Sequence, residues 1–167
     1  LQLLNTLDEK LELLESTGID DVIVHPFTLD FSRTTALYYV RDLLVQKLSM
    51  KKLVIGYDHQ FGRNREGSID QLREYAPLYG FDVSEIPAQD IDDVAVSSTK
   101  IRNSLLSGEV LLAANYLSYH YFVTGSVVQG RHRGKGLGFP TANIKVHSDT
   151  KLIPKEGVYA VKVLIDD

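Results

Sequence analysis

Helical and strand-like segments alternate along residues 1–87, and this order constrains the fold more than any other feature of the sequence. Predicted helices follow Thr6, Thr35 and Ser68, and short β-branched or apolar runs at 21–25, 52–57 and 81–86 predict strands. The connections between them are short. A chain that alternates in this way forms an α/β structure, in which helices cover a parallel sheet.

Local signals define the ends of these helices. Thr6 and Glu9 have the spacing of a capping box at the start of the first helix, and Gly18 ends it. The 3.6-residue period then predicts one buried stripe on each of the first two helices, formed by Leu7, Leu11 and Leu14 and by Leu37, Val40, Leu44 and Leu48.

The character of the sequence changes near residue 119. Two short predicted helices, 98–107 and 108–117, come before alternating strand-like runs at 123–128 and 158–165, with glycine-rich loops between them. This pattern predicts the start of an all-β module. We therefore expect two domains, at 1–118 and 119–167.

The charge distribution changes at the same point. Residues 1–118 carry 11 Lys and Arg against 18 Asp and Glu, whereas residues 119–167 carry 7 against 4. The change of sign is what two modules would give if the second bound anions, and ordinary surface variation also accounts for it.

Composition excludes several classes of function. The chain has no cysteine, which excludes disulfides, thiolate catalysis and cysteine-based zinc sites and fits a cytoplasmic protein. A net charge of −4 argues against binding to nucleic acid. No apolar run approaches the length of about 18 residues that a membrane helix needs. The five histidines lack the spacing of a metal site.

A hydroxyl-rich segment, Ser97-Ser98-Thr99, begins the helix predicted at 98–107, and Arg102 follows one turn later. Free N–H groups and hydroxyls at a helix N-terminus attract anions, and a nearby guanidinium suits the phosphates of ATP. Plain helix capping beside a surface arginine accounts for the same residues.

A glycine-rich basic segment, 130–143, lies in the second module. Its glycines allow backbone N–H groups to approach an anion, and Thr141 and Asn143 offer the neutral oxygen ligands that Mg²⁺ accepts beside nucleotide phosphates. A flexible basic turn is the alternative.

Two further loops follow predicted strands, at the sheet edge where ligands of α/β proteins bind. In the loop 56–67, Asp58, His59, Gln60 and Phe61 could hydrogen-bond to and stack on a planar heterocycle, and a plain solvent loop is the alternative. In 25–32, two aromatic residues and Asp30 could form a pocket wall or belong to the core.

Three of these segments together resemble the bacterial bifunctional riboflavin kinase/FMN adenylyltransferases, also called FAD synthetases. Residues 96–102 resemble the family's ISSTxIR motif, with Val96 in place of Ile. Residues 134–143 resemble GRxLGFPTAN, with Lys135 where Arg is usual. Residues 56–67 resemble GxDxxFGxxRxG, with His59 in place of an aromatic residue. The order of the motifs is also the family's.

The resemblance implies roles for particular residues. Residues 1–118 would be part of a Rossmann-like nucleotidylyltransferase domain that transfers AMP from ATP to FMN, and residues from 119 would enter a six-stranded riboflavin kinase barrel. Asp58 and Phe61 would bind the flavin, and Mg²⁺ would be held by Thr141 and Asn143. The nucleotide-binding residues would be Ser97, Ser98, Thr99, Arg102, Gly136, Gly138, Thr141 and Asn143. The implied substrates and products are ATP, riboflavin, FMN and FAD, with no nucleic-acid or membrane partner.

The ends of the chain lead to a further expectation. The chain begins at Leu1 rather than at Met, the family's HxGH motif is expected upstream of it, and the kinase's glutamate base is expected downstream of Asp167. No catalytic residue is therefore assigned, and we expect the 167-residue chain by itself to have no useful turnover. The alternatives are a non-catalytic flavin- or nucleotide-binding module, another nucleotidylyltransferase, or a scaffold that binds nothing.

Overall fold

The chain divides into two compact units. The computed structural model describes residues 2–87, 90–91, 94–130, 138–139 and 141–165. We call Ile23–Asp90 the sheet unit, and we call Leu1–Val22 together with Ile91–Asp167 the helix–hairpin unit. This division does not test the domain boundary predicted between residues 118 and 119, which stays a prediction.

Apart from two predicted strands, the predicted elements occur in the structure in the predicted order. In chain order they are α1 (Leu7–Glu15), α2 (Leu29–Ser32), α3 (Ala36–Tyr38) with a π-helical continuation (Tyr39–Lys47), β1 (Lys52–Gly56), a 3₁₀ turn (Arg63–Arg65), α4 (Ile69–Tyr79), β2 (Asp82–Ile86), β3 (Asp90–Ile91), β4 (Val94–Ala95), α5 (Ser98–Ser107), α6 (Val110–Leu117), β5 (Gly125–Val128) and β6 (Asn143–Val146).

The sheet unit is built around a parallel pair of strands. β1 and β2 pair in register from Lys52 opposite Asp82 to Gly56 opposite Ile86, and α4 forms the crossover between them. Side chains from the helices, the strands and the loop after β1 form one core, whose buried members are Ala36, Val40, Ile55, Phe61, Leu72 and Phe81. The predicted α/β class is confirmed here.

The ends of α4 show why this segment is helical. The Ser68 hydroxyl accepts a hydrogen bond from the N–H of Gln71 at 3.5 Å, and Gly80 takes the left-handed conformation that ends the helix. Leu72 is fully buried on the inner face.

The second predicted helix forms, but its buried face differs from the prediction. Most of it, Tyr39–Lys47, is wound with the longer π-helical period, so residues five apart lie on one side. Val40 is fully buried and Val45 packs against the same core, whereas Leu48 is 44% exposed. The stripe predicted from the α-helical period was therefore wrong toward its C-terminal end.

The helix–hairpin unit has its own core. α5 and α6 meet at Gly108, whose left-handed conformation ends α5. Their apolar faces pack with a residue from the C-terminal part of the chain, and the buried members of this core are Ile101, Leu105, Ala113 and Leu152. β5 and β6 form an antiparallel pair with Val128 opposite Asn143, which confirms that antiparallel structure follows the parallel sheet.

Two predicted strands are not formed in the described residues. The segments 21–25 and 158–165 carry no strand pairing, and Ile23 is 65% and Leu164 95% exposed. Both runs are rich in β-branched residues, but a strand needs a partner for its backbone groups, and none of the described strands pairs with either segment.

The first helix differs from its predicted burial. Leu7 is 51% exposed, and the buried residue of α1 is Glu9, which is 3% exposed. The predicted capping box is nevertheless confirmed in both directions. No helix in the described part of the chain is long and apolar enough to cross a membrane.

Candidate functional site

The N-terminus of α5 gathers four of the predicted nucleotide-binding residues. Ser97 is the N-cap, and its hydroxyl accepts a hydrogen bond from the N–H of Lys100 at 3.3 Å. Ser98 and Thr99 are the first two helical residues and are exposed. The first turn of α5 contains no acidic residue. Ser98 and Thr99 therefore present exposed hydroxyls at a helix start whose own first turn carries no carboxylate, an arrangement that favours an anion.

Arg102 lies one turn further along α5 and is partly buried. Its Nε donates a hydrogen bond to the backbone oxygen of Gln2 at 3.1 Å. The neighbouring Ile101 and Leu105 are buried in the core of the unit, which fixes this part of the helix. A guanidinium has five N–H donors, so the bond through Nε leaves the two terminal nitrogens able to bind an anion.

The loop after β1 carries the two predicted flavin-binding residues in different environments. Asp58 is exposed, whereas Phe61 is only 9% exposed and belongs to the core of the sheet unit. The Phe61 ring lies 5.7 Å from the ring of Tyr39, centroid to centroid. Both rings border a cavity of about 250 Å³ that also contacts Gly56 and His59.

A close contact explains why Phe61 stays in this position. The backbone groups of Phe61 and Gly67 exchange hydrogen bonds of 3.2 and 2.8 Å. A side-chain carbon at Gly67 would come within 2.5 Å of the Phe61 ring, so only glycine fits there. The loop therefore closes on itself around the aromatic ring.

Glu66 fastens this loop to the start of α3, and sequence analysis did not identify it. Its Oε1 accepts a hydrogen bond from the N–H of Ala36 at 2.9 Å, and its Oε2 accepts one from Nε of Arg63 at 3.3 Å. The bond from Ala36 is the main reason that the pKa of Glu66 lies below its ordinary value. The partners Ala36 and Glu66 are 30 residues apart, so no local pattern marks them.

The predicted metal and phosphate residues of the second module are only partly described. Thr141 and Asn143 are exposed, and Asn143 is the first residue of β6. Gly138 has a φ of +81°, which favours glycine, whereas Gly136 lies outside the described residues. The amide of Asn143 lies directly against Gly130, where a side-chain carbon would overlap it. Gly130 is therefore a contact of the Asn143 side chain that sequence analysis did not single out.

The described residues contain no cluster of histidines and carboxylates that could hold a metal ion. Within each unit, the predicted site residues of one motif lie on the same loop, helix start or strand start. Asp58 and Phe61 share one loop of the sheet unit. In the helix–hairpin unit, Ser97, Ser98, Thr99 and Arg102 share the start of α5, and Thr141 and Asn143 lie at the start of β6.

A buried ion pair in the helix–hairpin unit was not predicted. The Lys151 side chain is fully buried, and its Nζ donates to Oε2 of Glu9 and to the backbone oxygen of Leu4, both at 2.6 Å. The Nζ also lies 4.4 Å from the centroid of the Tyr121 ring. Glu9 and Lys151 are 142 residues apart, so the sequence carries no spacing signal for the pair.

Burial and hydrogen bonding act in opposite directions on this pair. Burial by itself raises the pKa of Glu9, but the hydrogen bonds from Lys151 and the Thr6 N–H outweigh it, and the pKa lies below its ordinary value. Burial lowers the pKa of Lys151 against the opposing effect of Glu9. Glu9 also accepts a bond from the Thr124 hydroxyl at 3.3 Å, so both carboxylate oxygens have partners.

Known proteins resemble the chain along nearly its whole length. A family model described as FAD synthetase matches residues 1–100, and one described as riboflavin kinase matches residues 117–167. The bifunctional riboflavin kinase/FMN adenylyltransferase of Escherichia coli (strain K12) is 37% identical over 161 residues, which are 96% of this chain and 51% of that protein.

Two further proteins match a similar share of the chain. The protein of the same description from Listeria monocytogenes is 38% identical over 98% of this chain and 51% of its own length. A crystal structure of a macrolide-efflux protein from Streptococcus pneumoniae has a TM-score of 0.83 and 27% identity, over 93% of this chain and 49% of that one.

The chain thus spans about half the length of the curated relatives that it matches. The FAD synthetase model covers more than half of the chain, and it covers the start of α5 as far as Lys100 and the whole loop after β1. The riboflavin kinase model covers β5 and β6. The chain belongs to the FAD synthetase family and continues into a riboflavin kinase segment.

Proposed function

We propose that the protein to which this chain belongs makes FAD from riboflavin in two ATP-dependent steps. The first transfers a phosphoryl group from ATP to riboflavin, giving FMN and ADP. The second transfers AMP from ATP to FMN and releases pyrophosphate. The observation that carries this proposal is the succession of an FAD synthetase segment and a riboflavin kinase segment on one chain. We propose a cytoplasmic location, which the absence of cysteine supports.

For the second step, we assign the triphosphate of ATP to the start of α5. A phosphate oxygen of FMN attacks the α-phosphorus, and negative charge develops on the leaving pyrophosphate. The N–H groups and hydroxyls of Ser98 and Thr99 and the guanidinium of Arg102 have the chemistry to stabilise that charge. The Ser97 oxygen already accepts the capping bond, so its role toward phosphate is limited to donating its hydroxyl hydrogen.

We assign the flavin to the loop after β1. The exposed carboxylate of Asp58 can accept hydrogen bonds from flavin N–H or hydroxyl groups. Phe61 offers one edge of a cavity rather than an exposed ring face, so its proposed part is to shape the apolar wall.

For the first step, we assign Mg²⁺ and nucleotide phosphate to Thr141 and Asn143. Both side chains are exposed and carry neutral oxygens, which fits an ion that keeps water and phosphate among its ligands. Bound there, Mg²⁺ would neutralise charge on the transferred phosphoryl group. Asn143 is the first residue of β6, and Thr141 lies two residues before it in the chain.

The experiment uses the complete reading frame that contains this chain. The purified protein is incubated with riboflavin and Mg-ATP, and the flavins are separated by chromatography over time. We expect FMN first and then FAD. FMN without FAD would remove the adenylyl transfer from the proposal, and FAD from supplied FMN without riboflavin phosphorylation would remove the kinase. If a folded protein forms neither product but binds flavin or ATP, it is a binding module and not an enzyme.

A further inference from the structure

We propose that Lys151, in the riboflavin kinase segment, is a positioning residue for adenylyl transfer, which it serves through Arg102. The inference rests on the proposed function, in which Arg102 binds the phosphates of ATP. The Lys151 side chain is fully buried, so any effect on the reaction has to pass through other residues. Its effect would pass along the short segment Gln2–Leu4, which contacts both residues.

Arg102 is held in place by a hydrogen bond to the N-terminal segment. An arginine side chain has several rotatable bonds, and its use in binding depends on how few conformations it keeps. The bond from Nε to the backbone oxygen of Gln2, at 3.1 Å, restricts the conformations of the guanidinium. The position of Gln2 therefore sets where the terminal nitrogens of Arg102 lie.

The segment that contains Gln2 is itself held by main-chain hydrogen bonds to residues 150 and 152. The next residue, Leu3, donates its N–H to the oxygen of Thr150 at 2.7 Å and accepts the N–H of Leu152 at 2.8 Å. These two bonds form a parallel bridge between Leu3 and Lys151. The chain from Gln2 to Leu4 is thus paired with residues 150–152 of the riboflavin kinase segment.

The Lys151 side chain adds further hydrogen bonds to this pairing. Its Nζ donates to the oxygen of Leu4 at 2.6 Å and to Oε2 of Glu9, also at 2.6 Å. It also lies above the ring of Tyr121, whose hydroxyl donates to the oxygen of Leu152 at 2.6 Å. One ammonium group therefore joins the N-terminal segment, α1 and the residues around Leu152.

Loss of this ammonium would remove the hydrogen bond to the oxygen of Leu4 and leave the two main-chain bonds of the bridge and the packing of the Leu4 side chain against the core of the unit. Leu3 and Gln2 would gain freedom, and the Arg102 guanidinium with them. Because Arg102 binds phosphate with little tolerance for misplacement, the affinity for ATP in adenylyl transfer would fall. Riboflavin phosphorylation does not use Arg102 in the proposed function, so its KM for ATP would stay nearly unchanged.

The test compares two reactions in the complete protein. FAD formation from FMN and FMN formation from riboflavin are each measured over a range of ATP concentrations. For Lys151→Met we expect KM for ATP in FAD formation to rise about tenfold with a smaller change in kcat, and KM for ATP in FMN formation to change less than about twofold. Lys162→Met, an exposed lysine of the same segment, is the matched control and should change neither.

A double-mutant cycle shows whether the effect passes through Arg102. In an Arg102→Ala background, Lys151→Met should add less than about a twofold change in FAD formation, because the group that it positions is gone. The neutral pair Glu9→Gln with Lys151→Met is measured alongside. It avoids an unpaired buried charge, and circular dichroism verifies its fold.

The outcomes separate the two claims. If the unaltered protein forms no FAD from FMN, the proposed function fails and this inference fails with it. If it forms FAD, but the folded neutral pair keeps the unaltered KM for ATP, the inference alone is overturned. Additive effects of Lys151→Met and Arg102→Ala, or an equal change in both reactions, would overturn it as well.

Discussion

Two helix N-termini in this chain share the same kind of cap and differ in charge. At α3, the Thr35 hydroxyl accepts from the N–H of Tyr38, and the carboxylate of Glu66 accepts from the N–H of Ala36. At α5, the Ser97 hydroxyl accepts from the N–H of Lys100, and the first turn has no acidic residue. The positive end of α3 thus has a carboxylate partner, whereas the first turn of α5 supplies none of its own.

The other α-helices resemble α3 in this respect. Each of them has a carboxylate in its first turn or at its N-cap, contributed by Asp8 and Glu9 in α1, Asp30 in α2, Asp70 in α4 and Glu109 in α6. Among the described α-helices, α5 is the exception. A first turn without a carboxylate of its own is the kind of helix start that attracts an anion from outside.

The largest expected effect concerns α1, whose acidic start is itself buried. Lys151→Met leaves the Glu9 carboxylate inside the unit without its ammonium partner, so we expect the free energy of unfolding to fall by about 3–5 kcal/mol. Denaturant unfolding of the complete protein, compared with the exposed-site variant Lys162→Met, measures this. A loss below about 1 kcal/mol would mean that Glu9 and Lys151 are not a buried pair.

The second effect is a crossed loss of activity between two sites. Arg102→Ala removes a charged hydrogen-bond donor, so FAD formation from FMN should fall about 10- to 100-fold while FMN formation continues. Asn143→Ala should do the reverse. The measurement is a chromatographic assay of each step with its own flavin substrate. An equal loss of both steps in either folded variant would contradict the assignment of two sites.

The third effect comes from placing a negative charge at the start of α5, where the other α-helices have a carboxylate. In Ser98→Asp, a carboxylate at the first helical residue should stabilise the helix by about 0.3–1 kcal/mol, as the helix dipole requires. The same charge should repel ATP and lower kcat/KM for ATP in FAD formation about tenfold. Ser98→Asn is the neutral control. A variant with higher stability and unchanged kcat/KM would show that ATP does not use this helix start.

The smallest effect is the removal of charge from the start of α3. Glu66→Gln keeps an oxygen to accept the Ala36 N–H and loses only the negative charge, so its melting temperature should fall slightly at neutral pH. Because the pKa of Glu66 is lowered in the folded protein, its contribution is present above the ordinary carboxyl pKa and is lost as the pH falls through the lowered value. The two proteins should therefore converge in acid.

Melting curves from pH 7 to pH 3 measure this difference, which should shrink below about pH 4.5. Glu74→Gln, at an exposed position of α4, is the control for a change of net charge. A difference between wild type and Glu66→Gln that grows toward acid would contradict the bond between Glu66 and the start of α3.

Much of the fold follows from signals within a few residues of one another. The capping box of Thr6 and Glu9, the cap at Ser68 and the glycine at position 80 place helix ends correctly because these interactions are local. Failures occur where the outcome depends on distant partners. The run 21–25 has the composition of a strand, but none of the described strands lies beside it.

The candidate site divides in the same way. The capping role of Ser97 was open in the sequence and is visible in the structure, because it needs only the N–H three residues later. The other roles depend on distant contacts. Phe61 packs near Tyr39, 22 residues away, and Glu66 bonds to Ala36, 30 residues away. Lys151 bonds to Glu9, 142 residues away. No period or motif within one segment contains that information.

The pairing of Leu3 with Lys151 also has a consequence for the order in which the protein forms during synthesis. Ile23–Asp90 contains all the residues of its own core, so it can fold once it has left the ribosome. The helix–hairpin unit is discontinuous, and its first 22 residues must wait for residues more than 100 positions later. Glu9 and Leu3 therefore lack these partners until residues 150–152 have emerged, and their pairing has to close a loop of more than 100 residues.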